Sequence, residues 1–126
     1  MVGNNLGLIK NAMDAAQLRQ EMISSNIANV NTEGYKVNKV EFESLLQDAT
    51  NGVAMKTTNQ RHFGGENLSD VVPRVEKRTG TTVKDNGNNV DIEVEMLDQY
   101  TNSIYYDALV NQLNTQYAML KSVITK

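Results

Sequence analysis

Leu6-Gly7-Leu8-Ile9-Lys10-Asn11-Ala12-Met13-Asp14-Ala15-Ala16-Gln17-Leu18-Arg19-Gln20-Glu21-Met22-Ile23-Ser24-Ser25-Asn26-Ile27-Ala28-Asn29-Val30 is the stretch on which the fold turns. Leu6, Ile9, Met13, Ala16, Gln20, Ile23, Ile27 and Val30 are separated alternately by 3 and 4 residues, and only Gln20 among them is not apolar. A seam of that period, held for more than three repeats, predicts an amphipathic helix that packs as coiled-coil helices do. The helix is expected over 5–30, about 40 Å long. Asn4 or Asn5 is the expected cap. Gly34 lies just past the end, where a left-handed residue often closes a helix.

The far end of the chain mirrors this pattern. Tyr106, Val110, Leu113, Tyr117, Leu120 and Ile124 are spaced 4, 3, 4, 3 and 4, and Leu109 and Val123 broaden the stripe. Met96, Leu97, Tyr100 and Ile104 continue it upstream less regularly. Asp91 is the expected N-cap, with Glu93 and Glu95 in the first turn, where the helix dipole favours acids. The second helix is expected from about 92 to 124, within a C-terminal segment 91–126, and about 50 Å long.

Residues 31–90 read as a polar, largely irregular segment. Phe42, Leu45, Leu46 and Ala49 suit one short amphipathic helix. Val71, Val72 and Val75 are expected to pair with Thr81, Thr82 and Val83 in a small hairpin around Thr79-Gly80. Asp85-Asn86-Gly87-Asn88-Asn89 signals a turn. The fold expected is mainly α, in one domain spanning 1–126: two long terminal helices in a coiled-coil-like hairpin around an irregular middle. The middle carries too little apolar material to cover both stripes, so the chain is expected to complete its core by assembly, and to be only partly ordered alone.

Composition narrows the function. There is no Cys and a single His in 126 residues, which leaves no disulfide, thiolate zinc site or cysteine nucleophile. A net charge of −3 argues against non-specific binding to nucleic acid. Asn occurs at 16 positions, so caps, turns and irregular backbone are expected. The N-terminus has neither the basic region nor the apolar run of a cleaved secretory signal.

Ser25-Asn26-Ile27-Ala28-Asn29-Val30-Asn31-Thr32-Glu33-Gly34-Tyr35-Lys36 resembles the N-terminal signature of bacterial flagellar rod and hook proteins, N-x-A-N-x-x-T-P-G-Y-K. Asn26, Ala28, Asn29, Thr32, Gly34, Tyr35 and Lys36 match it, and Glu33 stands where Pro is usual. The remainder looks like the B-type proximal rod proteins, on Thr58 with His62, on Gly87-Asn88-Asn89-Val90-Asp91 leading to Glu93, Glu95 and Met96, and on Asn102 and Tyr106. The resemblance implies a structural subunit with neither catalysis nor cofactor. It implies export through the flagellar type III apparatus without signal cleavage, and polymerisation in the periplasm into the rod that transmits torque. Its implied partners are itself, other rod subunits, and membrane-ring and export-gate components, with no nucleic acid and no small-molecule substrate. The assembly interface is expected at Leu6, Ile9, Met13, Ile23, Ile27, Val30, Tyr106, Val110, Leu113, Tyr117, Leu120 and Ile124. Phe42 to Leu46 resembles the Phe-x-x-x-apolar element of exported rod and hook subunits; the other reading is a packing turn of a short helix.

Other readings fare worse. His62 has no second His or Cys to share a metal with. The Asp85–Asp91 run lacks the Gly and Glu that a calcium loop needs at its sixth and twelfth positions, which are Val90 and Met96. Asp91, Glu93, Glu95 and Asp98 suit a helix start better than a hydrolytic pair. A cytosolic coiled-coil adaptor or export chaperone is the alternative function, but it has no need of the Asn-Ala-Asn and Gly-Tyr-Lys turn.

Overall fold

The computed structural model describes residues 2–50, 68–81 and 84–125. Thr58 and His62, and the Thr82-Val83 part of the expected hairpin, lie outside the described residues. Two long helices dominate: α1, Val2–Ala28, and α3, Ile92–Ile124. Between them come a strand β1, Asn38–Glu41, a helix α2, Glu43–Thr50, a 3-10 turn, Leu68–Asp70, and a strand β2, Arg74–Lys77. Asn26 of α1 meets Glu95 of α3, Ala16 meets Asn102, and Leu6 shares a groove with Leu113 and Tyr117. Falling numbers on one helix meet rising numbers on the other, so the pair is antiparallel.

Sequence and structure agree closely on α3. Asp91 accepts hydrogen bonds from the backbone N–H groups of Glu93 (3.0 Å) and Val94 (3.4 Å), the geometry of an N-cap. The expected cap of α1 is corrected. That helix already runs at Val2, so Asn4 and Asn5 lie inside it.

The expected hairpin around Thr79-Gly80 is corrected as well. Among the described residues β2 pairs antiparallel with β1, Asn38 opposite Lys77 and Glu41 opposite Arg74. Val37 provides the reason. Its carbonyl accepts from Arg78 N–H (2.8 Å) and its N–H donates to the Asn89 side chain (2.7 Å), which fastens the start of β1 to the end of β2 and to the loop before α3.

The middle segment is also less irregular and more apolar in effect than its composition suggests. Val40, Phe42 and Val71 form a buried cluster with Ala12 and Ala15 of α1, and Leu8, Leu18, Met22, Leu45 and Leu46 pack around it. Ala12, Ala15 and Ala16 are small enough to let the strand and the turn at Val71 approach the helix closely. Burial of Phe42, the largest enclosed side chain, contributes about 1.5–3 kcal/mol. Helix α1 is thus clad on one flank by the middle segment and on another by α3.

Candidate assembly surface

The signature residues build a joint, not a reactive centre. Helix α1 ends at Ala28, leaving its last carbonyls without intrahelical donors. Asn29 and Val30 N–H cover the carbonyls of Ser25, Asn26 and Ile27, and Asn88, fully buried, points its amide at the next carbonyl oxygens of the exit turn, those of Asn29 (2.9 Å), Val30 (3.2 Å) and Thr32 (2.7 Å). Lys84 adds a bond to Val30 O (2.6 Å), and Lys36 reaches the carbonyls of Gly87 and Thr81, placing two cations at the negative end of the helix.

The chain leaves α1 through a turn from Thr32 to Tyr35, closed by Tyr35 N–H to Thr32 O (3.3 Å). Gly34 has φ 69° and no non-glycine residue among the described ones has positive φ, so this is a type II turn with Glu33 and Gly34 at its centre. That turn favours Pro at the first central position and Gly at the second, which accounts physically for the Pro-Gly of the signature. Gly34 N–H donates to Asn86 O (3.0 Å) and Asn89 N–H to Tyr35 O (3.2 Å), fastening this turn to the loop 84–90. That loop is itself a tight return, with Gly87 at φ 81°.

Asn26 is the hub of the joint. Its amide donates to Asn38 O and Glu95 Oε2 (both 3.0 Å), and its oxygen accepts from Asn38 N–H (3.0 Å) and Tyr35 OH (3.2 Å). Farther along, Asn102 donates to Ala16 O (2.8 Å) and ties the middle of α3 to α1. Glu95, Asn88 and Asn102 stood out in the sequence only through the family resemblance; composition and spacing gave them no structural role beyond Asn abundance and an acidic first turn.

Above this joint the two helices leave an open groove of about 410 Å³. Five residues expected at the assembly interface line it together: Leu6, Met13, Tyr106, Leu113 and Tyr117. Ile9 and Ile23 are instead buried within the chain, whereas Ile27, Val30, Val110 and Leu120 are half-buried. Ile124 is 80% exposed. Phe42 is buried and Leu46 packs on the same cluster. A second groove, about 380 Å³, lies on the other side of Asn102, bordered by β1 and the first half of α3. Among the described residues no group of three or more metal-ligating side chains gathers. No helix there is long and apolar enough to cross a membrane.

Residues 10–36, the clad part of α1 and the signature turn, match the family described as "Flagella basal body rod protein". The flagellar basal body rod protein FlgB of Bacillus subtilis (strain 168) is 35% identical over 117 residues, covering 93% of this chain and 90% of that protein. The chain belongs to the FlgB family of flagellar basal body rod proteins. The FlgB of Borreliella burgdorferi is 36% identical over 107 residues, 79% of each chain. That of Escherichia coli (strain K12) is 28% identical over 120 residues, 90% of this chain and 87% of the relative. FlgB relatives therefore align across both long helices, well beyond the signature turn.

Proposed function

We propose that this chain is a structural subunit of the proximal rod of the bacterial flagellar basal body, polymerising into the drive shaft that transmits torque. Family membership supports the rod. The observation that supports assembly through the terminal helices is the groove itself, where Leu6, Met13, Tyr106, Leu113 and Tyr117 stand together and partly open to solvent. Exposed apolar surface of this kind is costly in a lone chain and is relieved by a neighbour's helix. Ile124 and Val123, at 80% and 75% exposure, extend the same surface beyond the groove.

The partners under this reading are further copies, other rod subunits, and ring and export-gate components at the rod base. The chain reaches the periplasmic rod by type III export with no cleaved signal. No catalytic or cofactor role belongs to it; the polar residues gathered at the joint are spent on backbone carbonyls and on one another.

Leu113→Asp and Tyr117→Asp test the reading. A carboxylate in an interface core costs several kcal/mol, while both positions are open enough in the single chain to leave its fold intact. Folded protein with no recoverable rods and no motility halo is expected. Normal rods in both variants would refute assembly through this groove.

A further inference from the structure

The second groove carries more negative charge than its own cations and the joint take up. Glu41, Glu43, Glu95 and Asp98 line it against only Arg19 and Lys39, and Arg19 is already paired with Glu43 at 2.7 Å. Glu95 is 5% exposed, yet only its Oε2 is bonded, to Asn26. No enclosed side-chain oxygen or nitrogen among the described residues lacks a partner, so the other oxygen of Glu95 opens on the groove.

The backbone is unfinished there too. Val37 and Arg78 form a hydrogen-bonded pair, so the register turns the N–H and C=O of Asn38 and Val40 to the outer edge of β1. Those of Asn38 are taken by Asn26. Those of Val40, which lines the groove, meet no partner among the described residues. The groove-facing oxygen of the Glu95 carboxylate and a strand carbonyl are thus both free to accept. That is the environment a guanidinium or ammonium group satisfies.

We propose that this groove receives a basic side chain of Arg74–Lys77 from a second copy of this chain, with Glu95 and Asp98 holding its charge. Arg74 and Lys77 lie on β2, all four residues of which are exposed, and neither is in an ion pair among the described residues. Val75, 42% exposed, shares a strand face with Lys77 and offers an apolar contact to Met22 and Tyr105 of the groove lining. The acidic groove and the basic strand are different surfaces of one chain, so the contact is head-to-tail. Such contacts do not pair off into closed dimers; repeated, they generate helical filaments. A cation arriving beside Glu95 also offsets the desolvation that pushes its carboxyl upward.

The inference rests on the rod reading, and its test separates the two. The full-length chain replaces the native copy in a motile strain as three variants: Glu95→Gln with Asp98→Lys, Arg74→Glu with Lys77→Glu, and all four together. Asp98→Lys alone accompanies them, because Asp98 is exposed and its side chain is in no ion pair among the described residues. The first two variants are expected to stay folded, with the helical circular dichroism of the parent, while rod recovery falls about tenfold or more. The fourfold variant restores the complementarity between copies, and rods return. Normal assembly by Asp98→Lys and by the groove variant overturns the proposal. Loss with the groove variant but not with the strand variant, or no rescue in the fourfold one, assigns the groove to a different subunit and equally overturns it. Leu113→Asp, run in parallel, reports on the apolar groove alone: its failure to assemble while the charge variants succeed leaves the rod reading standing.

Discussion

Asn26 holds Asn38 as a neighbouring strand would, accepting from its N–H and donating to its C=O, both at 3.0 Å. One side chain on a helix thereby completes the edge of β1, and its remaining bonds draw in Tyr35 and Glu95. Four separate segments of the chain meet at one amide.

Asn26→Ala leaves the Asn38 backbone and Glu95 without these partners. A loss of about 2–4 kcal/mol in unfolding free energy is expected from denaturant titration. Asn111→Ala, at an exposed position on α3, is expected to stay within about 0.5 kcal/mol of the parent. Equal effects at the two positions would deny Asn26 its place as a hub.

This contrast marks where the sequence stops being legible. Sixteen Asn residues announced caps and turns. Composition and period did not separate Asn26, Asn88, Asn89 and Asn102, which are buried and were marked only by the family resemblance, from Asn111 or Asn114, which face solvent. The long helices were readable because their apolar period repeats many times, and Gly34 because a positive φ is a demand of one residue on itself. The β1–β2 pair was not, because four-residue strands separated by a long stretch of chain carry no period long enough to pair them. Ala12 and Ala15 concealed the cladding of α1, since small residues beside a seam do not look like a contact surface until Val40, Phe42 and Val71 are laid on them.

The type II turn sets opposite expectations for adjacent residues. Gly34→Val puts a β-branched residue at φ 69°, costing about 1–2 kcal/mol or more, although no atom lies within 4 Å of the added Cβ. The cost is therefore one of conformation and not of collision. Glu33→Pro suits the first central position, and the Glu33 N–H has no partner among the described residues, so a gain of about 0.4–1 kcal/mol is expected. Thermal melts and motility halos check both, and a Glu33→Pro chain less stable than Gly34→Val would contradict the turn assignment.

Glu95 links stability to pH. Burial raises its pKa, and repulsion from Asp98 adds to this, against the bond from Asn26 and the charges of Lys39 and Arg78. A carboxyl raised in the folded state stabilises fully below its unfolded pKa, and that contribution is lost as pH rises through the folded value. Glu95→Gln keeps an acceptor for Asn26 and never ionises. Its melting temperature relative to the parent is expected to be higher at about pH 7 than at about pH 4. The reverse ordering would show that the charged form is the one the fold prefers.

Phe42 is enclosed in the folded chain, so recognition of Phe42 to Leu46 by an export gate, which the resemblance proposes, requires a chain that has not folded. Deleting 42–46 is expected to keep the protein in the cytoplasm at undiminished level. Ala15→Asp, which disrupts the same cluster without touching the element, is expected to be secreted normally. Retention of both would trace the effect to lost folding, and secretion of the deletion would remove the element from export.

The most direct measurement is a reconstruction of isolated basal bodies with this chain traced in the rod. The account predicts a helix of a neighbouring subunit seated along Leu6, Met13, Tyr106, Leu113 and Tyr117. A rod in which that groove faces solvent, with subunits joined elsewhere, would contradict it.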